Sequence, residues 1–493
     1  MGIPAYFKTL INNYNNNDIY TSCDNKVYID TLFFDLNCLI HPCCRNETDE
    51  SKMNENIFKS ILSIINIVKP LDIYIAIDGP CPRPKMQQQR LRRFKSSKEK
   101  KCWDTNSITP GTTFMKELEI YLINQLKKTD IKYIFDSSNN HGEGEHKIFN
   151  YIKENNIQSS MIYGLDADLI MLGLLSPCLK CYLIRERTEY NIEDIDSEFI
   201  YLNIQNLKKV IIESIKKPIF KISDEILLYD YIFICFFLGN DFVQHTPSIN
   251  IRYNGIEQLL TVYKELHELF KGNFYIIDLN NHDLIYKDNL LLFLKYLSKN
   301  EDKRIQNILS IRTRQEKKYT NIFNKTNDIK QLEELVNHKP ILDRKNEIKI
   351  FNNMKYWKTN YYMYHFFYDD YNPSYDTLLE KKRQEVCKYY LESLYWTIQF
   401  YLKGCISWKW YNPYYFGPAL IDIYDYLKNN KIVIKKDNKP YKPEEQLLLV
   451  LPPSSFNLIN NPPQLPHYFY PKDFKESYVL KRYLWESYPI IPS

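Results

Sequence analysis

The chain has 493 residues, with 42 Tyr and 26 Phe against only 12 Gly. That composition excludes collagen-like, Gly-rich and disordered classes and leaves apolar material for more than one packed domain. Its 65 basic and 60 acidic residues give a formal charge of +5, too small a bulk charge to define a partner.

The apolar runs at 61–68 and 231–238 fall short of the roughly 18 residues that a membrane span needs, so no membrane association is expected. The N-terminus lacks a basic region followed by an apolar block. Met1-Gly2 would suit acylation, but Tyr6 stands where that motif needs Ser or Thr. The 11 Cys, an odd number spread from Cys23 to Cys405, read as reduced thiols of a cytoplasmic protein rather than a disulfide framework. Cys178 and Cys181 form a lone C-x-x-C without the second pair of ligands that structural zinc requires, and are expected in the core.

Along the chain, short apolar strands are predicted at 27–35, 72–78, 132–135, 160–165 and 181–184. Helical patterns lie between them, as at 56–68 and 113–126. This alternation predicts an α/β domain over residues 1–250, built on a mostly parallel sheet. A mostly α-helical second domain follows over 251–493, with helices at 256–269, 290–297 and 386–402. Residues 300–350 are charged and weakly periodic, and are expected as a surface insertion or mobile connection. Pro452, Pro453, Pro462, Pro463, Pro466 and Pro471 predict an extended C-terminal segment draped over the fold.

Aspartate disfavours strands, so an Asp that closes an apolar strand needs a reason. Asp35 closes LFFD, Asp78 closes IAID, Asp166 and Asp168 follow MIYGL, and Asp241 follows FICFFLGN. Glu143 and Glu145 lie in HGEGEH just before a helical stretch. One such acid is ordinarily a cap or turn former. Seven in one sheet order would converge at the carboxyl ends of the strands, where open α/β sheets bind ligands. Converging carboxylates repel, and two hard divalent cations, Mg²⁺ or Mn²⁺, would resolve the repulsion while activating water for phosphodiester hydrolysis.

Directly after Asp78, the segment 85–101 carries eight basic residues and one acid. Pro84 suits a helix start. Lys85, Gln89, Arg92 and Arg93 are spaced i, i+4, i+7 and i+8, one helix face. Two guanidinium groups, an ammonium and an amide suit a terminal phosphate, although such a face can also be merely solvated.

Taken together, MGIPAYF, FFDLNCLIHPC, IAIDGPCPRPKMQQQRLRRFKSS, WDTNSITPGTTFM, GEGEHKI, YGLDADLIMLGL, FFLGNDFVQHTPS, YWKTNYYMYHFF, YLKGCISWKWYNPYYFGPALIDI and QLLLVLPP resemble the 5′→3′ exoribonucleases of the Xrn/Rat type, in family order and over nearly the whole chain. The resemblance implies a PIN/flap-nuclease-like α/β domain closed over by helices. It implies a processive, metal-dependent nuclease acting on single-stranded RNA with a 5′-monophosphate. The acidic metal site would comprise Asp35, Asp78, Glu143, Glu145, Asp166, Asp168 and Asp241, and the phosphate pocket Lys85, Gln89, Arg92 and Arg93. His41 would stack on RNA together with Trp408 or Trp410. Decapping machinery would supply substrate, and a monomer is expected.

The sequence also departs from the family. Only eight residues separate Phe94 from Trp103, His141 stands where Pro usually precedes GEGEH, and the chain stops near Ser493 without the long extensions of the large cytoplasmic members. Compactness and an AT-rich coding background suggest a large DNA virus or an AT-rich protist. The alternatives are a structure-specific DNA nuclease of the flap type and a catalytically silent RNA-binding relative. Retention of all seven acids weighs against the latter.

Overall fold

The computed structural model describes residues 2–14, 19–98, 102–164, 166–187, 197–281, 283–367, 376–460, 462, 469–471 and 473–491. Seven strands form one sheet: β1 (Tyr20–Ser22), β2 (Thr31–Asp35), β3 (Asp72–Ala76), β4 (Lys132–Asp136), β5 (Ser159–Tyr163), β6 (Lys180–Glu186) and β7 (Phe199–Asn203). Their order is β1-β7-β6-β5-β2-β3-β4. β6, β5, β2, β3 and β4 run parallel, while β7 and β1 add antiparallel edges.

The mostly parallel sheet is as expected, and β2 is buried along its whole length, as a strand covered on both faces must be. The predicted strand at 27–35 begins only at Thr31, and the helix predicted at 56–68 starts earlier, at Glu50. Asp49 supplies that start by accepting hydrogen bonds from the Ser51 and Lys52 amides. β1 and β7 went unpredicted; β1 is three residues of Tyr, Thr and Ser with no apolar run.

The chain crosses from β2 to β3 and β4 on one side, then returns to place β5 on the other side of β2. This reversal is a topological switch point, where side chains at the strand ends open onto a crevice. One apolar cluster continues from the sheet through Ile232–Leu238 residues into the helices Gly255–Leu269, Lys287–Ser298 and Asp376–Lys403. A second cluster covers the opposite sheet face. Cys178 and Cys181 are both buried in the first. Among the described residues, no helix is long and apolar enough to cross a membrane.

Residues 300–350 are not an insertion without structure. They form the helices Glu301–Lys325, Ile329–Val336, Lys339–Leu342 and Lys345–Phe351. Charge obscured this because the charges pair internally. Buried Arg312 reaches Glu347 at 2.7 Å and donates to the carbonyls of Lys481 and Pro340. Arg344 joins the same Glu347 carboxylate at 2.7 Å. A buried charge must be paired and hydrogen-bonded, and this network ties the helices to the C-terminal segment.

That segment is only partly extended. It opens on the 3-10 helix Pro453–Leu458 and leads to the paired strands Lys475–Ser477 and Tyr488–Ile490. Pro463 and Pro466 lie outside the described residues.

Candidate active site

The carboxyl ends of the parallel strands gather the acids. Asp35 ends β2 and is buried. Asp78 lies two residues beyond β3, and its Oδ1 accepts from the Gly144 amide at 2.7 Å. Glu143 and Glu145 sit at the start of the helix Gly144–Glu154, and Asp166 and Asp168 at the start of Ala167–Leu175. Glu143 and Asp166 occupy the capping position of their helices but make no side-chain cap. Ordinary capping therefore does not explain them.

Oxygens of Asp35, Asp78 and Glu145 lie within 4.8 Å of one another. The Lys85 ammonium lies 2.5 Å from Glu143, 2.9 Å from Asp241 and 4.0 Å from Glu145. Tyr401 donates to Asp168 Oδ1 at 2.6 Å.

Three carboxylate oxygens in this cluster, Asp35 Oδ1, Glu143 Oε1 and Asp168 Oδ2, are buried without a hydrogen-bond partner. Such orphans carry a desolvation cost unless a cation or proton meets them. The titration directions agree. Burial, then repulsion from Asp78 and Asp166, pushes Asp35 well above the carboxylate range. Burial and Glu143 do the same to Glu145. Burial raises Glu143 to about 7 even against the attraction of Lys85. Burial and Asp241 raise Asp168. Asp241 moves down: against its burial stand the Lys85 charge and a hydrogen bond from Lys85. Hard oxygen donors, converging and short of partners, fit Mg²⁺ or Mn²⁺.

The basic helix Arg83–Ser96 runs alongside. Its predicted face is shared between two tasks. Lys85 turns into the acids. Gln89 accepts from Gln446 Nε2 at 3.2 Å, and Gln446 in turn accepts from the Cys81 amide at 2.9 Å. Arg93 is buried with one guanidinium nitrogen on Thr109 and its Nε unpartnered, while Arg92 is exposed. Burial and the neighbouring Arg92 disfavour the charge on Arg93, which marks a cation in want of an anion.

The chain matches the family model "XRN 5′-3′ exonuclease N-terminus" over residues 1–187 and "Xrn1 helical domain" over 221–356 and 343–492. It belongs to the Xrn family of 5′→3′ exonucleases. The 5′-3′ exoribonuclease 2 homolog of Drosophila melanogaster is 27% identical over an alignment covering all of this chain and 69% of that protein. Human 5′-3′ exoribonuclease 1 is 29% identical, again over all of this chain but 33% of the human protein. Among solved structures, the catalytic core of Rad2 in complex with DNA substrate has a TM-score of 0.35 and 12% identity, covering 55% of this chain and 74% of that one.

In this Xrn-family chain the three residues expected to stack on RNA are differently held. His41 is exposed on the short helix Asn37–Cys44, directly beyond Asp35. Trp408 lies edge-on to His141 at 5.3 Å, next to the Glu143 loop, and its carbonyl accepts from the Arg83 amide. Trp410 is half-buried, stacks on Trp396 and donates to Glu392 at 2.9 Å, whereas Trp408 is buried.

Several residues that position the site escaped the sequence reading. Tyr401 sits in an apolar helical stretch, where a Tyr carries no signal. Lys147 donates to the carbonyls of Ile77 and Ser137, both at 2.8 Å, and anchors the strand end that bears Asp78. Its place one turn after Glu143 was the available clue. Gly144 is needed because a Cβ there would lie 2.6 Å from Asp35 Oδ1. Gly144→Ala is therefore expected to lower RNA degradation roughly a hundredfold, the scale of an ångström misplacement. A steady-state assay beside a circular-dichroism check of folding tests this.

Proposed function

We propose that this chain is a processive exonuclease that degrades single-stranded RNA from a 5′-monophosphate end and releases mononucleotides. The observation that carries this reading is the pairing of two complementary deficits, one beside Lys85 and one at Arg93 on the same helix. Buried carboxylate oxygens lack a cation, and a buried guanidinium lacks an anion. A divalent-metal phosphodiester site beside a terminal-phosphate pocket satisfies both.

Asp35, Asp78 and Glu145 would hold one ion, with Glu143, Asp166, Asp168 and Asp241 available to a second. Bound there, the ions would stabilise charge on the scissile phosphate and lower the pKa of the attacking water. The chain's own residues set the geometry. Tyr401 holds the Asp168 carboxylate, and Lys147 holds the end of β3. Arg92 and Arg93, with Gln89 beside them, would grip the 5′-phosphate, and Lys85 on the same helix face joins that pocket to the acids, which fixes the first linkage over them. Arg93, buried and fork-shaped, excludes a cap by size and penalises a 5′-hydroxyl by leaving its charge unpaired. His41 with Trp408 or Trp410 would stack on bases without reading their edges, as an enzyme that must accept every base requires. Capped transcripts would become substrates only after a decapping reaction that leaves a monophosphate.

The test is one RNA with three 5′ ends, monophosphate, hydroxyl and cap, incubated with Mg²⁺ beside an Asp168→Ala control. The expected result is loss of the monophosphate RNA alone, to mononucleotides, with an inert control. Tight binding without degradation in Mg²⁺ or Mn²⁺ would overturn the reading.

The acids also predict a pH dependence. Asp35, Glu143 and Glu145 are raised in the folded chain, so it retains protons that the unfolded chain has lost. With chelator present, their stabilising contribution is complete below about pH 4, the unfolded carboxylate range, and is lost as pH rises through about 7, the value for Glu143. Asp230 and Glu301, also raised to about 7 by burial, titrate in the same window. The diagnostic quantity is therefore the increment due to metal. Mg²⁺ is expected to raise the melting temperature more at about pH 8 than at about pH 5.5, because protons compete with it. An equal increment at both, by scanning fluorimetry, would mean that the acids do not hold the ion.

A further inference from the structure

A cavity of about 260 Å³ lies on the far side of the basic helix from Thr109 and reaches the acids through Asp241. Its wall includes Arg92, so it also adjoins the phosphate-binding face. Four cations line it, Arg92, Lys95, Arg252 and Lys481, against the carboxylates of Asp241 and Glu486. The Gln87 side chain is buried with its Oε1 unpartnered, and Gln88 Oε1 and Asn240 Nδ2 are likewise unpartnered in the same wall. Lys95 donates to oxygens of Leu484 and Ser487, and Lys481 contacts His245. Amide donors and acceptors together with cations, in a space of single-ligand size, suit a nucleotide: phosphate for the cations, base edges for the amides.

Ile251 and Arg252 also line a second, polar cavity of about 370 Å³. That cavity is bordered by exposed Lys8 and Asn12 and so is reached from solvent. Between the two cavities, Arg252 pairs with Glu486 at 2.6 Å and lies over the rings of Tyr483 and Trp485.

We propose that the first cavity, which opens to solvent past exposed Arg92 and Trp485, receives the released nucleoside 5′-monophosphate before it leaves. This rests on the exonuclease reading above. The product keeps its 5′-phosphate, so it moves from Arg92, which borders both sites, toward Lys95, Lys481 and Arg252 along a cationic wall. The path leaves the acids free for the next linkage.

The test combines direct titration of AMP and UMP into the full chain with single- and multiple-turnover degradation, for wild type, Gln87→Leu, Lys95→Met and Glu486→Gln. Glu486→Gln breaks the ion pair but keeps an oxygen for the Arg482 and Tyr483 amides that Glu486 now accepts from. Lys95→Arg, which keeps the charge, controls for misfolding of Lys95→Met. Gln87→Leu and Lys95→Met are expected to weaken monophosphate binding and product inhibition roughly tenfold each. Their single-turnover rates and their preference for monophosphate ends should stay within about twofold of wild type. Glu486→Gln is expected to change only the multiple-turnover rate. Single-turnover rates that fall as far as multiple-turnover rates would show that the cavity carries RNA and would overturn the proposal, as would unchanged product inhibition. A wild-type chain that binds monophosphate at a site lost in Gln87→Leu, yet degrades no RNA, would keep the cavity as a nucleotide site and remove the exonuclease.

Discussion

Asp35→Asn is expected to abolish RNA degradation, by roughly a thousandfold or more, and at the same time to make the chelated protein more stable. The loss follows from charge: a metal ion supplies several kcal/mol of transition-state stabilisation, and about 1.4 kcal/mol is a factor of ten. The gain follows from the same burial that makes the residue useful. Asp35 is buried, repelled by Asp78 and Asp166, and has one oxygen without a partner. Asparagine keeps the shape and can still accept from Cys38, which now lies 3.1 Å from Asp35 Oδ2. Relief of one buried, uncompensated charge should stabilise the chelated chain by about 1 kcal/mol at neutral pH. Added Mg²⁺ should reverse the order, because wild type gains from the ion and the variant gains little. Thermal melts of both proteins with chelator and with Mg²⁺ check this. A variant less stable than wild type in chelator would mean that the carboxylate is held for structure.

Arg93→Met is expected to remove the choice of 5′ end rather than the chemistry. Hydrogen bonds to charged groups contribute about 1.5–3 kcal/mol each, and a guanidinium can make two to one phosphate. The ratio of monophosphate to hydroxyl degradation should therefore fall about a hundredfold. Most of the change should come from slower use of the monophosphate RNA. Degradation of hydroxyl RNA should hold steady or rise, since the unpaired buried cation is gone. Lys in place of Arg should recover only part of the ratio, because an ammonium cannot match the planar fork. A ratio unchanged in Arg93→Met, measured from kcat/KM on the two RNAs, would place 5′-end recognition elsewhere.

The acids were legible because each breaks a local rule: an Asp after a buried apolar strand is conspicuous, and sheet topology brings such strand ends to one edge. The basic helix was legible as an element and as a face. The division of labour along that face was not. Lys85 turns to Glu143 and Asp241, whereas Gln89 is met by Gln446, more than three hundred residues away. Tyr401 and Gln446 gave no signal because their importance lies in a partner distant in sequence. The helices between 301 and 351 were misread for a related reason. Arg312 and Glu347 read as solvated charge when taken singly, and only their pairing makes them core. Trp408 and Trp410 were indistinguishable by spacing. Their partners differ, His141 for Trp408 and Glu392 with Trp396 for Trp410.

The pairing of β2 with β5 joins Thr31 to Ser160 across more than a hundred intervening residues, and such long loops must close before the contacts repay them. The acids are gathered only when that strand pair forms, and Asp241 joins later in the chain. Tyr401 and then Gln446 complete the supports still further along. During synthesis from the N-terminus, the metal ligands emerge first and the groups that hold them emerge last. A chain interrupted between residues 241 and 446 would carry the acids without the geometry. Nucleolytic competence should therefore arise as a late, all-at-once property of the assembled chain, and limited proteolysis between residues 241 and 446 should silence the enzyme while leaving every acid covalently intact.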